Sequence, residues 1–302
     1  MTKGRHSSQN SERNAISAII RICGYSSILF VILILFFLLR EGLPALLSTP
    51  ISSLLSVRWY PIEGYYGILP LIMGSVLITV SATLIALPFG IGTAVYMSEV
   101  APRWIREILK PVVEILAGIP SVVLGFIGIL VFAPFFRKFL DIPTGLTAFT
   151  GAILLALISI PTIVSVAEDA LNTVPNSYRQ ASLALGATRW QTIWQVTLPA
   201  AKTGVLTAVM LGIGRSMGET MAVMMVTGNA PIMPLKLNSL FTPVRTMTAT
   251  IASEMGEVAA GSQHYQVLFL IGIVLFLLSL AINISASLVS TKSRQRSERL
   301  LS

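Results

Sequence analysis

Charged side chains are scarce in this 302-residue sequence, where Asp, Glu, Lys and Arg together make up 11% of the residues. Soluble globular domains carry about 25% charged residues. Apolar residues reach 54%, and the mean hydropathy is +0.80. A chain with so little polar surface cannot cover a water-facing particle of its size. The composition therefore excludes a soluble globular protein and makes lipid the expected solvent.

Cysteine and histidine are almost absent as well. Cys23 is the single cysteine, and the two histidines, His6 and His264, are far apart. The sequence therefore excludes an internal disulfide framework and predicts no bound metal ion. No lysine follows a glycine in the Gly-x-x-x-x-Gly-Lys spacing that cradles nucleotide phosphates. We expect no cofactor and no ATP site on this chain, and so no enzymatic activity of its own.

Six predominantly apolar stretches are long enough to cross a bilayer. They cover residues 22–39, 69–98, 115–136, 145–167, 204–227 and 267–289. The first stretch ends at Arg40 and is interpreted as a retained span, not a cleaved signal peptide. Apolarity that does not alternate favours helices over a β-barrel. The predicted fold class is an all-α polytopic membrane protein, with a six-helix domain over residues 22–290 between tails at 1–21 and 291–302.

The distribution of Lys and Arg predicts which side of the membrane each loop faces. Fourteen of the 21 Lys and Arg residues lie in the two tails and in the loops on the same side, and six lie in the opposite loops. Cytoplasmic loops carry such an excess, so both termini are predicted to be cytoplasmic. The net charge of +8 follows from these tails and loops. It therefore predicts no nucleic-acid partner, and membrane lipid is the expected environment.

Two charged residues, Arg215 and Glu219, interrupt the fifth predicted span. A charged side chain at the bilayer centre costs about 2.5–3.5 kcal/mol on insertion scales, so this face should meet a bundle interior or a wet pathway. The i, i+4 spacing predicts both groups on one helical face. Either they form a buried ion pair that fixes packing, or Arg215 helps an anion across while Glu219 orients it. Three nearby glycines would let another helix approach closely: Gly212, Gly214 and Gly218.

The segment at about 168–203 is predicted to form a short displayed helix on the cytoplasmic side. Pro175 marks a helix start, and Gly186 can supply a left-handed cap. Apolar residues then recur at helical spacing on one face: Trp190, Ile193, Trp194 and Leu198. Such a helix is suited to docking in another protein's groove. The alternative is an interfacial helix anchored by its tryptophans.

Part of this segment resembles the EAA loop of ABC importer permeases, which couples them to their ATPase. The resemblance assigns a coupling role to Gln180, Ala181, Ser182, Gly186, Leu198 and Pro199. Gln180 stands where the family pattern has glutamate, and Ser182 stands where it has alanine. Glutamine keeps the hydrogen-bonding reach and loses the charge, which puts a salt bridge to the ATPase at that position in doubt.

A longer resemblance points to the phosphate-specific permease family of the PstC type. It is carried by the stretches 118–123, 212–223 and 248–257, the second reading Gly-Ile-Gly-Arg-Ser-Met-Gly-Glu-Thr-Met-Ala-Val. Membership implies a type I ABC importer permease fold in the bacterial inner membrane. It also implies a PstA-like sister subunit, a PstB-like ATPase dimer that hydrolyses ATP, and a PstS-like phosphate-binding protein. The resemblance places Arg215, Glu219 and Thr220 on the phosphate pathway.

Three other functions stay open on the residues alone. An ABC permease for sulfate or molybdate would differ in the protonation of its substrate and in its delivery protein. An ion-coupled secondary transporter would work without an ATPase and would have no use for the helix within 180–199. A lipid-modifying enzyme would need a nucleophile with a base or a metal cluster, and the two histidines are not placed for it.

Overall fold

The computed structural model describes the backbone of residues 3–299, and the side chains of residues 17–285 apart from residue 237. The predicted all-α class is confirmed. Five helices set the frame: α1 (Lys3–Gly42), α4 (Leu69–Val95), α5 (Arg103–Gly118), α8 (Ala148–Asn172) and α15 (Gln263–Arg299). Between α1 and α4 lie α2 (Pro44–Ser48), α3 (Ile51–Leu54) and an antiparallel hairpin of β1 (Trp59–Tyr60) and β2 (Tyr65–Tyr66).

Other helices complete the bundle, the longest with 17 residues, and three π-helical turns extend their neighbours. These turns are Tyr96–Val100 after α4, Gly128–Phe132 between α6 and α7, and Ile193–Thr197 between α10 and α11. The helices are α6 (Ser121–Ile127), α7 (Ala133–Phe139), α9 (Asn176–Ala184), α10 (Arg189–Thr192), α11 (Leu198–Ala200), α12 (Lys202–Gly218), α13 (Met221–Val226) and α14 (Met247–Glu254). Two 3-10 turns cover Pro61–Glu63 and Leu237–Phe241.

Five segments of the described chain are long and apolar enough to cross a membrane. They are Ser17–Ser48, Leu69–Val100, Ser121–Phe139, Ala148–Asn172 and Gln263–Ser285. A sixth arises if Arg189–Ala200 and Lys202–Gly218, which meet at 73°, are counted as one bent span. Five of the six predicted spans therefore have a counterpart, and the fifth predicted span has one only if the bent pair is counted. The tails predicted at 1–21 and 291–302 lie partly outside the described residues, and α1 is already helical from Lys3.

The third span begins later than predicted, because its first residues belong to another helix. We predicted residues 115–136, but α5 ends at Gly118 and the membrane-length segment starts at Ser121. Proline disfavours helical backbone in the residue before it, and Ile119, which precedes Pro120, is extended with ψ 126°. Apolarity alone did not reveal this break, since both sides of it are apolar.

The fifth span, predicted as one helix over 204–227, is also broken. Helix α12 ends at Gly218, Glu219 is extended with ψ 128°, and α13 begins at Met221. Broken helices at membrane depth occur where the freed backbone groups are buried in protein or line a cavity. Here the carboxylate of Glu219 accepts hydrogen bonds from freed amides, as described below.

The core lies where α8 packs against α4 and α12. Ile163 on α8 is 1% exposed and contacts the bare backbone of two glycines. A methyl group added at Gly90 of α4 would lie 2.8 Å from the Ile163 side chain, and one at Gly212 of α12 would lie 2.6 Å from it. Small residues let helices approach closely in membranes, where packing replaces the hydrophobic effect as the driving force.

A cluster around Glu254 holds the segment between α13 and α15 against the β-hairpin. Arg245 Nη1 donates to Glu254 Oε1 at 2.6 Å, and Trp59 Nε1 donates to the same oxygen at 3.2 Å. His264 Nε2 lies 2.8 Å from Glu254 Oε2. The rings of Tyr66 and His264 lie 5.9 Å apart, and burial raises the pKa of Tyr66. One carboxylate therefore joins the hairpin, α14 and α15.

Removing this carboxylate should destabilise the fold. Breaking a buried ion pair leaves an unpaired charge and costs about 3–5 kcal/mol. Arg245 and Glu254 are partly buried, with side chains 13% and 16% exposed, so we expect Glu254→Ala to cost about 3 kcal/mol. The measurement is the thermal unfolding temperature of the purified chain in detergent. The control is Glu63→Ala, which breaks the exposed Arg58–Glu63 pair and should cost less than about 1 kcal/mol. Equal unfolding temperatures for both variants would contradict the assignment.

Candidate functional site

Arg215 lies in the last turn of α12 and is exposed in the isolated chain. Its Nη1 donates to Thr162 Oγ1 of α8 at 3.2 Å. Within the part of the chain that the structure describes, no carboxylate forms an ion pair with it. Among the described residues the guanidinium therefore keeps most of its donors free on the surface of α12 that lies beside α8.

Glu219 does not share a helical face with Arg215, so that prediction was wrong. The i, i+4 geometry requires a continuous helix, and α12 stops one residue before Glu219. The Glu219 carboxylate instead accepts from the backbone amides of Thr220 (3.2 Å) and Ala222 (3.4 Å). It thus satisfies amides at the start of α13 that would otherwise lack partners. Thr220 Oγ1 turns back to the carbonyl of Gly218 at 3.3 Å.

Polar side chains surround Glu219 on the inner side of the broken span. A small cavity beside it is lined by apolar residues and by five residues that carry hydroxyl groups: Ser75, Thr79, Ser216, Thr246 and Thr248. Thr248 Oγ1 donates to the Glu219 carbonyl at 3.2 Å, and the hydroxyl oxygens of Ser216 and Ser159 are 2.7 Å apart. The break in the span is therefore held by hydrogen bonds to neighbouring helices. Arg215 and Glu219 lie on two different surfaces of the same broken element.

The three glycines of this region have different surroundings. Gly212 is buried against Ile163, as described above. A methyl group added at Gly214 or Gly218 would meet no atom within 4 Å. Both are exposed beside Arg215. Around the guanidinium, the surface of α12 is consequently flat and bare backbone, open to a partner outside this chain.

The displayed helix is α9, and its ends form as predicted. Pro175 precedes its first residue, Asn176. At the other end Gly186 has φ +87°. Its amide donates to the carbonyl of Leu183 at 3.0 Å, and the amide of Ala187 donates to that of Ser182 at 3.2 Å. This pair of bonds is a Schellman motif, which ends the helix at a residue that favours glycine.

The residues predicted to couple to an ATPase are mostly on the surface. Gln180, Ala181, Gly186 and Pro199 are exposed, and Leu198 is half-buried. Ser182 is the exception, because it is buried and its hydroxyl oxygen lies 3.0 Å from that of Thr192. Serine at this position therefore ties α9 to α10, which an alanine cannot do.

The apolar face predicted after α9 is divided. Trp190 and Trp194 are 62% and 52% exposed, with ring centroids 5.7 Å apart, whereas Ile193 is buried. The π-helical turn Ile193–Thr197 changes the spacing on which the prediction of one face rested. Leu185, beside the cap of α9, is 89% exposed. An apolar surface on α9 and α10 thus lies open at the end of the bundle away from the hairpin.

Sequence reasoning missed one ion pair beside this surface. Arg179 of α9 donates from Nη2 to Glu99 Oε1 at 2.6 Å. Glu99 lies in the π-helical turn that ends the α4 span. The count of Lys and Arg treats Arg179 only as a loop charge, and Glu99 does not enter that count. Two positions in the sequence could have suggested the pair. Glu99 directly follows the second predicted span, and Arg179 directly precedes Gln180.

Comparisons with known proteins agree with this architecture. Residues 86–295 match the family described as binding-protein-dependent transport system inner membrane component. The chain is 42% identical over 266 residues to the probable ABC transporter permease protein YqgH of Bacillus subtilis, covering 86% of this chain and 85% of that protein. It is 34% identical over 263 residues to the phosphate transport system permease protein PstC of Haemophilus influenzae, covering 81% and 82%.

Solved structures of ABC importers share the fold. The inward-facing MetNI methionine ABC transporter superposes with a TM-score of 0.60 at 17% identity, covering 78% of this chain and 99% of that chain. A bacterial ABC transporter involved in the import of alginate gives a TM-score of 0.57 at 15% identity, covering 85% and 95%. The expected type I importer permease fold is confirmed. The chain belongs to the family of inner membrane components of binding-protein-dependent transport systems.

Proposed function

We propose that this chain is the PstC-type permease subunit of an ATP-driven phosphate importer in the bacterial inner membrane. It forms half of the translocation pathway, and a PstA-like sister subunit supplies the other half. The names of relatives that are 33–36% identical over most of the chain support phosphate as the substrate. A domain over residues 22–290 carries this function, and both termini are cytoplasmic.

The observation that carries the proposal is the cation of Arg215, which forms no ion pair with any residue that the structure describes. Arginine stays charged at any physiological pH, and its planar fork donates hydrogen bonds in pairs to oxyanions. Thr162 offers a hydroxyl beside it at 3.2 Å, and a hydroxyl can also donate to a phosphate oxygen. Keeping such a cation on an apolar helix is costly. We infer that a passing anion uses it.

The surface around Arg215 also suits a second permease subunit. Gly214 and Gly218 are exposed beside it and would allow a facing helix to approach closely. Two subunits meeting here would enclose the guanidinium between them. Glu219 and Thr220 contribute by holding the break that ends α12, so their role on the pathway is to shape it.

The other end of the chain is the place for the ATPase. Because no phosphate-binding loop is present in the sequence, a PstB-like ATPase dimer must hydrolyse ATP. Helix α9 and the exposed Leu185 beside it fit a groove on such a partner. A PstS-like phosphate-binding protein delivers substrate at the hairpin end, outside the cell.

Replacing Arg215 should stop transport and leave assembly intact. A hydrogen bond to a charged group contributes about 1.5–3 kcal/mol, so Arg215→Gln should lower phosphate uptake at least about tenfold. The measurement is radiolabelled phosphate uptake by the complete transporter in proteoliposomes. Arg40→Gln is the matched control, since Arg40 is 70% exposed and pairs only with its neighbour Glu41 in the described chain. It should transport at the rate of the unmodified protein.

Unchanged uptake by Arg215→Gln would remove this residue from the mechanism. Competition tests the substrate in the same assay: unlabelled phosphate should displace the label, and sulfate or molybdate should not. Equal displacement by sulfate would replace phosphate with another oxyanion. Uptake driven by an ion gradient without the ATPase would contradict an ATP-driven importer.

A charge placed on the exposed face of α9 should weaken binding of the ATPase and uncouple ATP hydrolysis from phosphate transport. Ala181 is small and exposed, so Ala181→Asp adds a charge to the proposed docking face without removing any bond to the body of the chain. We expect phosphate-dependent ATPase stimulation to be lost and co-purification of the ATPase to weaken. Ser52→Asp adds the same charge at the exposed hairpin end and should leave co-purification unchanged. If stimulation survives Ala181→Asp, the coupling assignment is wrong.

A further inference from the structure

Arg179 joins three elements at the α9 end of the molecule. Its Nε and Nη2 both reach the carboxylate of Glu99, at distances from 2.6 to 3.2 Å. Nη2 also donates to the carbonyl of Leu171 at 2.9 Å, and Nη1 donates to that of Val174 at 2.6 Å. One side chain on α9 therefore binds the end of the α4 span and the end of α8.

This ion pair is shielded from water. The side chain of Glu99 is 8% exposed and that of Arg179 is 18% exposed. Charges at such sites interact more strongly than on a surface, and salt screens them less. A bidentate contact also fixes direction as well as distance. The exposed pair of Arg58 and Glu63, by contrast, has side chains 60% and 53% exposed.

The two partners connect the proposed ATPase surface with the membrane helices. Arg179 directly precedes Gln180 on α9. A second polar contact also holds α9 in place, the hydrogen bond between the hydroxyls of Ser182 and Thr192 of α10. Glu99 lies in the π-helical turn continuous with α4, and α4 packs along both α8 and α12. Helix α12 carries Arg215. A displacement of α9 can thus reach α4 through one charged, directional contact.

We propose that the Arg179–Glu99 pair is the link that transmits movement of α9 to the α4 span during the ATP cycle. Both residues are positioning residues and contact neither ATP nor substrate. The proposal rests on the proposed function, because it assumes that an ATPase docks on α9. Arg179 makes α9 and the end of the α4 span move together. When the ATP cycle displaces α9, the α4 span therefore moves as well, and the shape of the phosphate pathway changes. Without this link, α9 would tilt alone.

The test uses the complete transporter in proteoliposomes, with the variants Arg179→Gln and Glu99→Gln. Phosphate transported per ATP hydrolysed is the main readout, because a purely structural role would lower both rates together. Coupling between sites is typically 5–150-fold, and we expect this ratio to fall about tenfold. Co-purified ATPase and its basal activity should stay within about twofold. Arg179→Lys keeps the positive charge but cannot form the bidentate contact of a guanidinium, so it should recover part of the phosphate-to-ATP ratio. Arg40→Gln should leave the ratio unchanged.

A second readout does not depend on the substrate. In a Cys23→Ser background, Leu84→Cys places a reactive thiol on α4, where the native side chain is 66% exposed. Its labelling rate should change on ATP binding in the otherwise unmodified protein, and this change should be lost with Arg179→Gln. A nucleotide response that persists in the variant would overturn the proposal, as would an unchanged transport ratio. Loss of ATPase co-purification or a parallel fall of both rates would also overturn it in favour of a structural anchor.

The same readout separates the two proposals. If the Cys23→Ser, Leu84→Cys transporter hydrolyses ATP and shows the labelling response, lost with Arg179→Gln, but takes up no phosphate, the assigned substrate fails and the Arg179–Glu99 link stands. If phosphate uptake depends on Arg215 but Arg179→Gln changes nothing, the link fails and the proposed function stands.

Discussion

A permanent positive charge near the end of α12, the second half of a bent span, is the constraint around which this molecule is arranged. Arginine stays charged at any physiological pH, so the energetic cost of placing a charge on an apolar helix must be met by the groups around Arg215. Thr162 gives it a polar contact, and Gly214 and Gly218 leave open space beside it. The nearest acidic residue in sequence, Glu219, is turned to the start of the next helix. The cation is left for something outside the chain.

The break after Gly218 follows from the same arrangement. Had α12 continued, Glu219 would have lain one turn beyond Arg215 and could have paired with it. An ion pair there would have stabilised the helix and removed the free charge. Ending the helix costs backbone hydrogen bonds, and at membrane depth these must be replaced. The Glu219 carboxylate replaces two of them, and Thr248 binds the Glu219 carbonyl. The two charged residues therefore have different partners: Glu219 binds amides at the start of α13, and Arg215 binds Thr162 of α8.

Composition and the lengths of the apolar stretches were sufficient to predict the membrane class, the helical fold and five of the six spans, because the cost of exposing backbone and charge to lipid leaves few alternatives. The cap at Gly186 was also predictable, since a left-handed residue after a short helix favours glycine. The breaks at Ile119 and Glu219 were not predicted, because a scan for apolar length does not register backbone conformation. The Arg179–Glu99 and Arg245–Glu254 pairs were not predicted either. The first joins two residues that are 80 positions apart in sequence, and a scan for spans and motifs does not show which elements meet.

Both ends of the bundle are held by buried or partly buried ion pairs that connect loops to membrane helices. At the hairpin end, Glu254 joins the hairpin, α14 and α15. At the other end, Glu99 joins α9 to the α4 span. Removing one partner of such a pair leaves an unpaired charge away from water, which is costly. The helices between them pack through glycines and aliphatic side chains, which tolerate small shifts.

The accessibility of the space beside Arg215 tests the account most directly. Because Cys23 is the single cysteine, a Cys23→Ser, Thr162→Cys variant places one thiol next to the guanidinium and keeps Arg215. In the assembled transporter, an anionic thiol reagent should label this cysteine faster than a cationic reagent of the same size, and phosphate should slow the labelling. A thiol that water-soluble reagents cannot reach in any nucleotide state would show that the cation lies in lipid or in a dry pocket, and the proposed pathway would be wrong.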